Sequence, residues 1–469
     1  MVFSSLTFLL LFLPLLLLLY FVIRDLRWKN GILLIFSLVF YAWGEPKWIL
    51  CMLGATLVNW VCGLIIERSE KRAIRRLVLL LGIVASLAAL FYFKYFTFLL
   101  TNLYRLFGID GLVPNVALPI GISFYTFQIL TYTVDVYREK VPAQKRFTRL
   151  LLYVSCFPQL IAGPIVRYSD IAAQLDSRTT TLSDFADGMG RFSIGLGKKV
   201  LLANLCGKAV ETLLPNGAAL SVAGAWLSAF LYMMQIYFDF SAYSDMAIGL
   251  GRVFGFRYLE NFNYPFISAS ISEFWRRWHI SLGSFFRDYV YIPLGGNRKG
   301  AWATARNILI VWCLTGLWHG ASWNFVAWGL YYGVWILLEH VALKKVIGRI
   351  PRAVRILPTQ LLVLIGFIFF YHLSIADGWQ HVLALFGVGQ ARLMDETVRT
   401  VLNDYTVFPL IAAVCCLPIV PALKKRMSAT KASQSIAAIL VPIVETAILL
   451  LSLAMLVGQS YNPFIYFRF

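Results

Sequence analysis

Long apolar runs separated by short basic loops are the feature that most constrains how this chain folds. Several runs reach the roughly 20 residues that a helix needs to cross a bilayer, the first between residues 3 and 23. Of the 469 residues, 59% are apolar and only 14% are charged, whereas a soluble domain has about 45–50% and about 25%. Disordered, disulfide-stapled and soluble multidomain classes are therefore disfavoured. A transmembrane barrel fits poorly, because its strands alternate instead of forming unbroken apolar runs.

We predict an all-α polytopic membrane protein that forms a single domain over residues 1–469. Some apolar segments are too short to cross alone, so we expect about 10–12 transmembrane helices plus re-entrant and interfacial helices. We see no internal repeat, which argues mildly against transporters built from inverted repeats. The candidate segments are 3–23, 31–44, 48–66, 77–96, 117–136, 150–165, 188–210, 222–250, 303–320, 322–343, 356–375, 405–422 and 436–457. The predicted regions are N-terminal spans 1–250, an interfacial helix and loop region 251–302, histidine-bearing spans 303–345 and C-terminal spans 356–469.

The net charge of +19 comes from basic residues concentrated in short loops. By the positive-inside rule these loops face the cytoplasm. The N-terminus and the polar stretch 376–403 are therefore expected on the outer side of the membrane. The membrane concerned is the cell membrane, which in a bacterium with two membranes is the inner one. No soluble basic domain is present, so the charge does not predict nucleic-acid binding. The basic clusters are Arg24–Lys29, Arg68–Arg76, Arg138–Arg149, Lys344–Arg355 and Lys424–Lys431.

The cysteines indicate neither a disulfide framework nor a metal site. There are seven, an odd number, and none forms a CxxC pair. Most lie inside apolar segments, where a free cysteine acts as a small apolar residue. The adjacent pair Cys415 and Cys416 is interpreted as helix packing.

The segment Ser270–Tyr291 predicts one amphipathic helix. Ser270 and Glu273 form a capping-box pattern, apolar residues then recur with a period near 3.6, and the turn after Pro293 ends the segment. Tryptophan and arginine on such a helix favour the membrane interface or the wall of a polar cavity. On periodicity alone, a solvated anchor helix is an equal alternative.

His319 is the strongest candidate for chemistry in the residues themselves. It follows more than ten largely apolar residues and precedes another apolar run, and ionisable groups inside a membrane are functional candidates by default. Gly316 and Gly320 allow close backbone approach, and Trp318 and Trp323 are expected to shield the imidazole from lipid. A general base is the functional interpretation. The alternative is a histidine that only joins two helices by a hydrogen bond.

His279 lies at the edge of the predicted apolar stripe and either faces the same cavity or contacts interfacial water. Asp239 shares a helix face with Gln235 and with Tyr243 at a spacing of four residues. These groups are interpreted as polar contacts between helices or as channel lining. The remaining histidines, His340, His372 and His381, are assigned to span ends and to the outer loop. The sequence contains no GxSxG, Walker A, HExxH or convincing GxGxxG motif.

Several sequence blocks, in order along nearly the whole chain, resemble the membrane-bound O-acyltransferase family, in particular its alginate O-acetyltransferase membrane-subunit branch. Together they are far more specific than an isolated Trp-His-Gly. The central blocks are WRRWHISL (275–282), DYVYIPLGGNRK (288–299) and LWHGASWNF (317–325). The flanking blocks are VFSS (2–5), FYAW (40–43), PIGISFYTFQ (119–128), FPQLIAGPI (157–165), YFDFSAYSD (237–245) and YNPFIYFRF (461–469).

The resemblance implies a helical body around a central polar funnel. His319 matches the central catalytic histidine of the family, and His279 matches a second histidine near the cytoplasmic route to the centre. This chain has Tyr332 in WGLYYG (328–333) where close relatives often have a histidine, so the assignment depends on His319. Residues expected to bind substrate or line the tunnel are Trp275, Trp318, Trp323, Asn324, Asp239 and Tyr243, with Asn324 or a backbone N–H steadying an oxyanion.

The resemblance implies an acyltransferase that moves acetyl groups from a cytoplasmic thioester donor, such as acetyl-CoA, toward hydroxyls of an extracytoplasmic polysaccharide. No bound cofactor or metal is expected. The partners it implies are the lipid bilayer, the thioester donor, the polysaccharide and a periplasmic or extracellular SGNH-type transferase. Two alternatives stay open. One is a D-alanyl-transfer protein of the same superfamily that uses a carrier protein, and the other is a transporter or channel without covalent chemistry.

Overall fold

The computed structural model describes residues 1–114, 116–214, 220–343, 348–389, 392–458 and 464–465. These residues contain many helices and no β-strand, which confirms the predicted all-α class. Part of the basic cluster before Arg355 and most of the terminal block 461–469 lie outside the described residues. The chain folds as two compact units, each made of two segments. Unit 1 is Met1–Phe192 with Tyr243–Leu259, and unit 2 is Ser193–Ala242 with Glu260–Phe469.

Unit 1 is built from helices joined by short connections. Two turns within it are π-helical, Phe8–Phe12 and Phe91–Tyr95. Its α-helices are Leu13–Val22, Leu26–Gly44, Ile49–Arg68, Arg72–Leu90, Phe96–Phe107, Ile122–Tyr137, Phe147–Ser155, Phe157–Leu160 and Tyr168–Asp176. The helices Leu182–Gly197 and Val222–Val253 each contain a boundary between the units.

Several polar side chains of unit 1 form hydrogen bonds or ion pairs within the unit. The side-chain amide of Gln128 donates to the carbonyl oxygen of Gln159, and the amide of Gln159 donates to the carbonyl oxygen of Tyr153. Asp245 pairs with Arg191 at 2.8 Å. Since unpaired polar groups are costly in an apolar interior, these contacts fit the predicted role of joining helices.

Unit 2 contains both candidate histidines. Its shorter turns are the π-helical segments Lys198–Ala203 and Arg287–Tyr291 and the 3₁₀ turn Pro265–Ile267. Its α-helices are Asn204–Leu213, Ile271–Arg277, Ile280–Phe286, Gly300–His319, Trp323–Val341, Arg352–Tyr371, Ile375–Leu385, Glu396–Asp404, Phe408–Cys415, Ile419–Met427 and Lys431–Gly458.

Two helices of unit 2, Gly300–His319 and Trp323–Val341, form a tight antiparallel pair that we call the histidine hairpin. A Cβ atom added to Gly316 would meet the backbone of Phe325, and one added to Gly329 would meet the backbone of Trp312. The backbones therefore approach each other directly, as predicted for Gly316. Ser322 caps the second helix by accepting a hydrogen bond from the backbone N–H of Phe325.

The segment Ser270–Tyr291 is not the single helix that its periodicity predicts. Ser270 caps the first helix as expected, but Glu273 accepts from the backbone N–H of Ala269 and so does not complete the capping box. The helix stops at Arg277, and His279 adopts a left-handed conformation with φ of 45° before a second helix begins at Ile280. The apolar period continues through the break, which is why the sequence did not reveal it.

Four helices in the described part of the chain are long and apolar enough to cross a membrane, and a bent pair makes a fifth candidate. The predicted number of about 10–12 crossings therefore stays a prediction. Many other apolar segments are short or interrupted helices, which length and composition alone do not identify as spans. The four helical stretches are Ile49–Arg68, Arg72–Phe107, Arg352–Tyr371 and Lys431–Gly458, and the bent pair is Glu396–Asp404 with Phe408–Cys415.

The basic loops give a testable topology. In a variant without native cysteines, Ser69→Cys is expected to react with a membrane-impermeant maleimide only after the cells are permeabilised. Met394→Cys, which lies in the predicted outer stretch, is the matched control and should react in intact cells. Labelling of Ser69→Cys in intact cells would overturn this orientation.

Replacing Gly316 by alanine tests the close approach within the histidine hairpin. The added methyl group meets backbone rather than a flexible side chain, so the helices must separate, and overpacking of this kind costs about 1–3 kcal/mol. We expect a lower midpoint of thermal unfolding in detergent. Gly54→Ala is the control, because nothing lies within 4 Å of its added Cβ, and it should unfold at or above the wild-type temperature.

Candidate active site

His319 is the last residue of its helix and lies at the corner of the histidine hairpin. Only 8% of its surface is exposed. Its ring centroid is 5.1 Å from that of Trp328 and 5.2 Å from that of Phe370, with edge-to-face geometry in both cases. The tight glycine contact therefore holds the imidazole among aromatic rings.

His319 lines a small cavity of about 30 Å³ within unit 2, which is room for one or two water molecules. Two of the lining residues, His319 and Asp239, are polar or ionisable, so the cavity is less polar than the funnel that the resemblance implies. Its remaining lining residues are Ile236, Phe240, Trp278, Trp328, Phe367, Phe370, Phe464 and Ile465.

His279 is buried near this cavity rather than at the edge of a surface helix, with 2% of its surface exposed. Its ring meets Phe240 edge-on at 4.6 Å and lies 5.8 Å from Trp318, while Trp318 also contacts His319 at 5.0 Å. Burial lowers the pKa of His279 well below its ordinary value, and charge on His319 lowers it further. Both effects favour a neutral imidazole, the form that accepts a proton.

Asp239 is held by a buried ion pair. Lys199 Nζ lies 2.6 Å from its Oδ1, and both side chains are almost fully buried, at 4% and 3% exposure. The other oxygen, Oδ2, accepts a hydrogen bond from the backbone N–H of Ile465 at 2.8 Å. Asp239 thus joins three parts of unit 2 at the cavity wall. Sequence reasoning missed Lys199, because nothing in the local pattern marks a lysine 40 residues away as its partner.

The residues that were predicted to surround His319 differ in burial and in their contacts. Trp318 is buried between the two histidines, but Trp323 is 58% exposed and does not line the cavity. The predicted shielding of the imidazole by Trp323 therefore stays a prediction, while Trp328 contacts the ring directly. Asn324 is buried, but its amide nitrogen donates to the carbonyl oxygens of Phe369 and His372. These two bonds use both of its N–H donors, which argues against the predicted oxyanion contact.

Trp275 and Tyr243 do not line the cavity. Trp275 packs against Trp312, Trp328 and Tyr332 and supports the wall from behind. Tyr243 belongs to unit 1, where its ring stacks on Phe3 at 4.5 Å.

Tyr332 has a structural explanation in this chain. It is fully buried and its hydroxyl donates to the carbonyl oxygen of Val363 at 3.1 Å. Gly366 leaves room for this hydroxyl. The tyrosine therefore fills the site between two helices instead of supplying an imidazole.

His372 and His381 form a pair that the sequence did not indicate. His372 Nε2 and His381 Nδ1 are 2.9 Å apart, and His381 Nε2 lies 3.0 Å from the carbonyl oxygen of Ala225. His381 lies in the helix Ile375–Leu385 and is 3% exposed, so it is not in a loop, while its position on the outer side stays a prediction.

The aromatic wall was also missed by sequence reasoning. Trp278 and Phe240 lie in blocks that the resemblance rests on, but their role was not assigned. Phe367 and Phe370 come from the helix Arg352–Tyr371, whose apolar sequence looks like that of any span. Buried apolar residues of a span carry no signal that separates a cavity wall from ordinary packing.

The site can now be compared with known proteins. The sequence model of the membrane-bound O-acyltransferase family matches residues 91–347, a stretch that includes both histidines and more than half of the chain. The chain belongs to the membrane-bound O-acyltransferase family. It is therefore a multi-pass membrane protein and an acyltransferase.

Three relatives narrow the comparison. The probable alginate O-acetylase AlgI of Azotobacter vinelandii is 40% identical over 100% of both chains. The peptidoglycan O-acetyltransferase of Helicobacter pylori is 34% identical over 79% of this chain and 77% of its own. The teichoic acid D-alanyltransferase of Bacillus subtilis is 32% identical, but over only 46% of this chain and 57% of its own.

The buried ion pair beside the cavity gives a stability prediction. Asp239→Asn leaves Lys199 buried without its counter-charge, and breaking a buried pair in this way costs about 3–5 kcal/mol. We expect a clear loss of thermal stability in detergent. The double variant Lys199→Met/Asp239→Leu should recover part of it, because no unpaired charge remains.

The control for this variant is Asp187→Asn in unit 1. The side chains of Asp187 and Arg252 are 51% and 38% exposed, and exposed pairs contribute about 0–1 kcal/mol. If Asp239→Asn unfolds no earlier than Asp187→Asn, the ion pair does not stabilise unit 2 as argued.

Proposed function

We propose that this protein is an O-acetyltransferase that takes acetyl from a cytoplasmic thioester, such as acetyl-CoA, for O-acetylation of an extracytoplasmic polysaccharide. The observation that carries the proposal is the burial of His319 in the cavity wall. By the sequence resemblance, this residue matches the central histidine of the family. The full-length similarity to an alginate O-acetylase supports acetyl as the acyl group. The polymer that becomes acetylated is alginate or another exopolysaccharide.

The transfer balances with one histidine. The acceptor hydroxyl loses its proton to the imidazole as its oxygen bonds to the acetyl carbon, and the carbon–sulfur bond of the thioester breaks. The departing thiolate then takes the proton. In the second version the imidazole first carries the acetyl group and then passes it to the acceptor. Both versions require a neutral imidazole at the start.

A partner completes the proposed route. We infer that the acetyl group passes, directly or through an intermediate acceptor, to a periplasmic or extracellular SGNH-type transferase. That transferase then modifies the polymer. This inference rests on the resemblance to the alginate branch and on the full-length similarity to an alginate O-acetylase. Residues at the outer ends of the spans are where such a partner would contact this protein, in the inner membrane of a bacterium.

The D-alanyl alternative is less well supported. The teichoic acid D-alanyltransferase of Bacillus subtilis covers less than half of this chain, whereas an O-acetylase relative covers all of it. A transporter without covalent chemistry is not favoured either, because the family consists of acyltransferases.

Variants of His319 test the chemistry. His319→Ala, His319→Asn and His319→Gln are each expected to lower polysaccharide acetylation by about 10²–10⁴-fold, because an amide forms hydrogen bonds but takes no proton near pH 7. The measurement is base-labile acetate per unit of polymer, together with the amount of protein in the membrane.

The control is His340→Gln, on the second helix of the same hairpin, where the side chain is exposed. It should acetylate like the wild type. A merely structural histidine predicts the opposite order at 319, with Gln restoring function and Ala lowering protein abundance. Wild-type acetylation by His319→Gln would refute the catalytic role.

A further inference from the structure

The loop residue Asn261 forms the most extensive set of hydrogen bonds around His279. Its side chain is fully buried. Its carbonyl oxygen accepts from the backbone N–H of Ile280 at 2.9 Å. Its side-chain Oδ1 accepts from the backbone N–H of Ser281 at 3.2 Å and from the Ser281 hydroxyl at 2.8 Å. The same oxygen lies 3.1 Å from His279 Nδ1.

These contacts explain the break in the predicted helix. The backbone N–H groups of Ile280 and Ser281 would bond within a continuous helix, but here both donate to Asn261. The chain turns at His279 with φ of 45°, a left-handed conformation that is unfavourable for a residue other than glycine. Strain held in this way by surrounding bonds is typical of functional positions.

The orientation of the Asn261 amide follows from its donors. A backbone N–H only donates, so the side-chain atom of Asn261 that faces Ser281 N must be the oxygen. That oxygen only accepts, so its 3.1 Å contact with His279 Nδ1 is a hydrogen bond when Nδ1 carries a proton. The Ser281 hydroxyl lies 3.4 Å from the same nitrogen, but it donates to Asn261 Oδ1 over the shorter distance of 2.8 Å. A neutral imidazole with its proton on Nδ1 has its lone pair on Nε2.

His279 Nε2 is therefore the basic atom of this ring. It is buried and has no hydrogen-bond partner among the described residues. An unpaired buried acceptor is costly, so this atom is suited to receive a hydrogen bond or a proton during the reaction.

The charged and titratable groups around His279 are few. From the histidine hairpin, His319 acts on its pKa. From the helix Val222–Val253, Asp239 adjoins the contacting Phe240 and is neutralised by Lys199. Glu260, next to Asn261, and Arg276, on the preceding helix, are both exposed.

We propose that Asn261 is a positioning residue that holds His279 in the Nδ1–H form. In this form Nε2 can accept a hydrogen bond or a proton during acyl transfer. This inference rests on the proposed function for its reaction, but the protonation pattern of His279 stands apart from it. Asn261 is 18 residues away in sequence and belongs to no motif quoted for chemistry.

The test is a pair of substitutions with a matched control. Asn261→Asp keeps an acceptor for Nδ1–H but adds a negative charge, which favours the imidazolium and raises the pKa of His279. The acid limb of the pH–rate profile for acetyl transfer is expected to move to higher pH by about 1 unit or more. Asn261→Ala removes the acceptor, and the rate at the pH optimum is expected to fall by about 10²-fold.

The controls are Asn263→Asp and Asn263→Ala, two residues along the same loop, where the side chain is exposed. They repeat the charge change and the truncation without contact to His279, and their pH profiles should match the wild type. A folded Asn261→Asp variant with the wild-type profile overturns the proposal and leaves the proposed function intact.

A second measurement does not depend on acetyl transfer. Nitrogen NMR of protein labelled with ¹⁵N-histidine distinguishes a protonated Nδ1 from a protonated Nε2, and the His279 signals are assigned by their loss in His279→Gln. We expect the Nδ1–H pattern in the wild type. An Nε2–H pattern contradicts the proposal, whether or not the wild type transfers acetyl. An absence of acetyl transfer by the wild type would instead refute the proposed function.

Discussion

The direct approach of two helix backbones in the histidine hairpin determines where the candidate chemistry can occur. Glycine at 316 and 329 lets each helix touch the other's backbone, so the corner between them is narrow and His319 sits inside it. Aromatic rings from other helices of unit 2 then close around the imidazole. A wider hairpin would leave room for lipid or water at the same point. The environment of the histidine therefore depends on the packing of these small residues.

A second constraint is that each polar group in an apolar body needs a partner. Asn324 caps the end of a neighbouring helix, Tyr332 donates to a carbonyl oxygen, and Lys199 neutralises Asp239. His279 Nε2 is one of several buried polar atoms without a hydrogen-bond partner among the described residues, and Asn324 Oδ1 is another. The His279 atom differs from the others because it belongs to a titratable ring whose second nitrogen contacts Asn261.

The all-α class, the burial of His319 and the glycine approach at Gly316 could be predicted from the sequence, because each depends on local composition or on an apolar pattern. The sequence pattern left His279 either facing the same cavity or contacting water, and the resemblance matched it to a second histidine of the family. The break at His279 could not be predicted, since its cause is an acceptor on a distant loop and the apolar period runs through it unchanged. Trp323 is exposed and Asn324 is buried although they are adjacent, because neighbours in sequence lie on different faces of a helix. The number of membrane crossings is similarly uncertain from hydropathy, since several apolar stretches form short or bent helices.

The left-handed backbone at His279 also affects how substitutions at this position are interpreted. Most residues resist this conformation, while glycine adopts it readily and asparagine adopts it more easily than alanine. An alanine here removes the imidazole and strains the turn at the same time, so a loss of function would combine two effects. Asparagine removes the imidazole at a smaller conformational cost. Any residue that replaces His279 must both adopt the left-handed backbone conformation and supply the chemistry of the imidazole. The backbone therefore limits substitution at this position as much as the chemistry does.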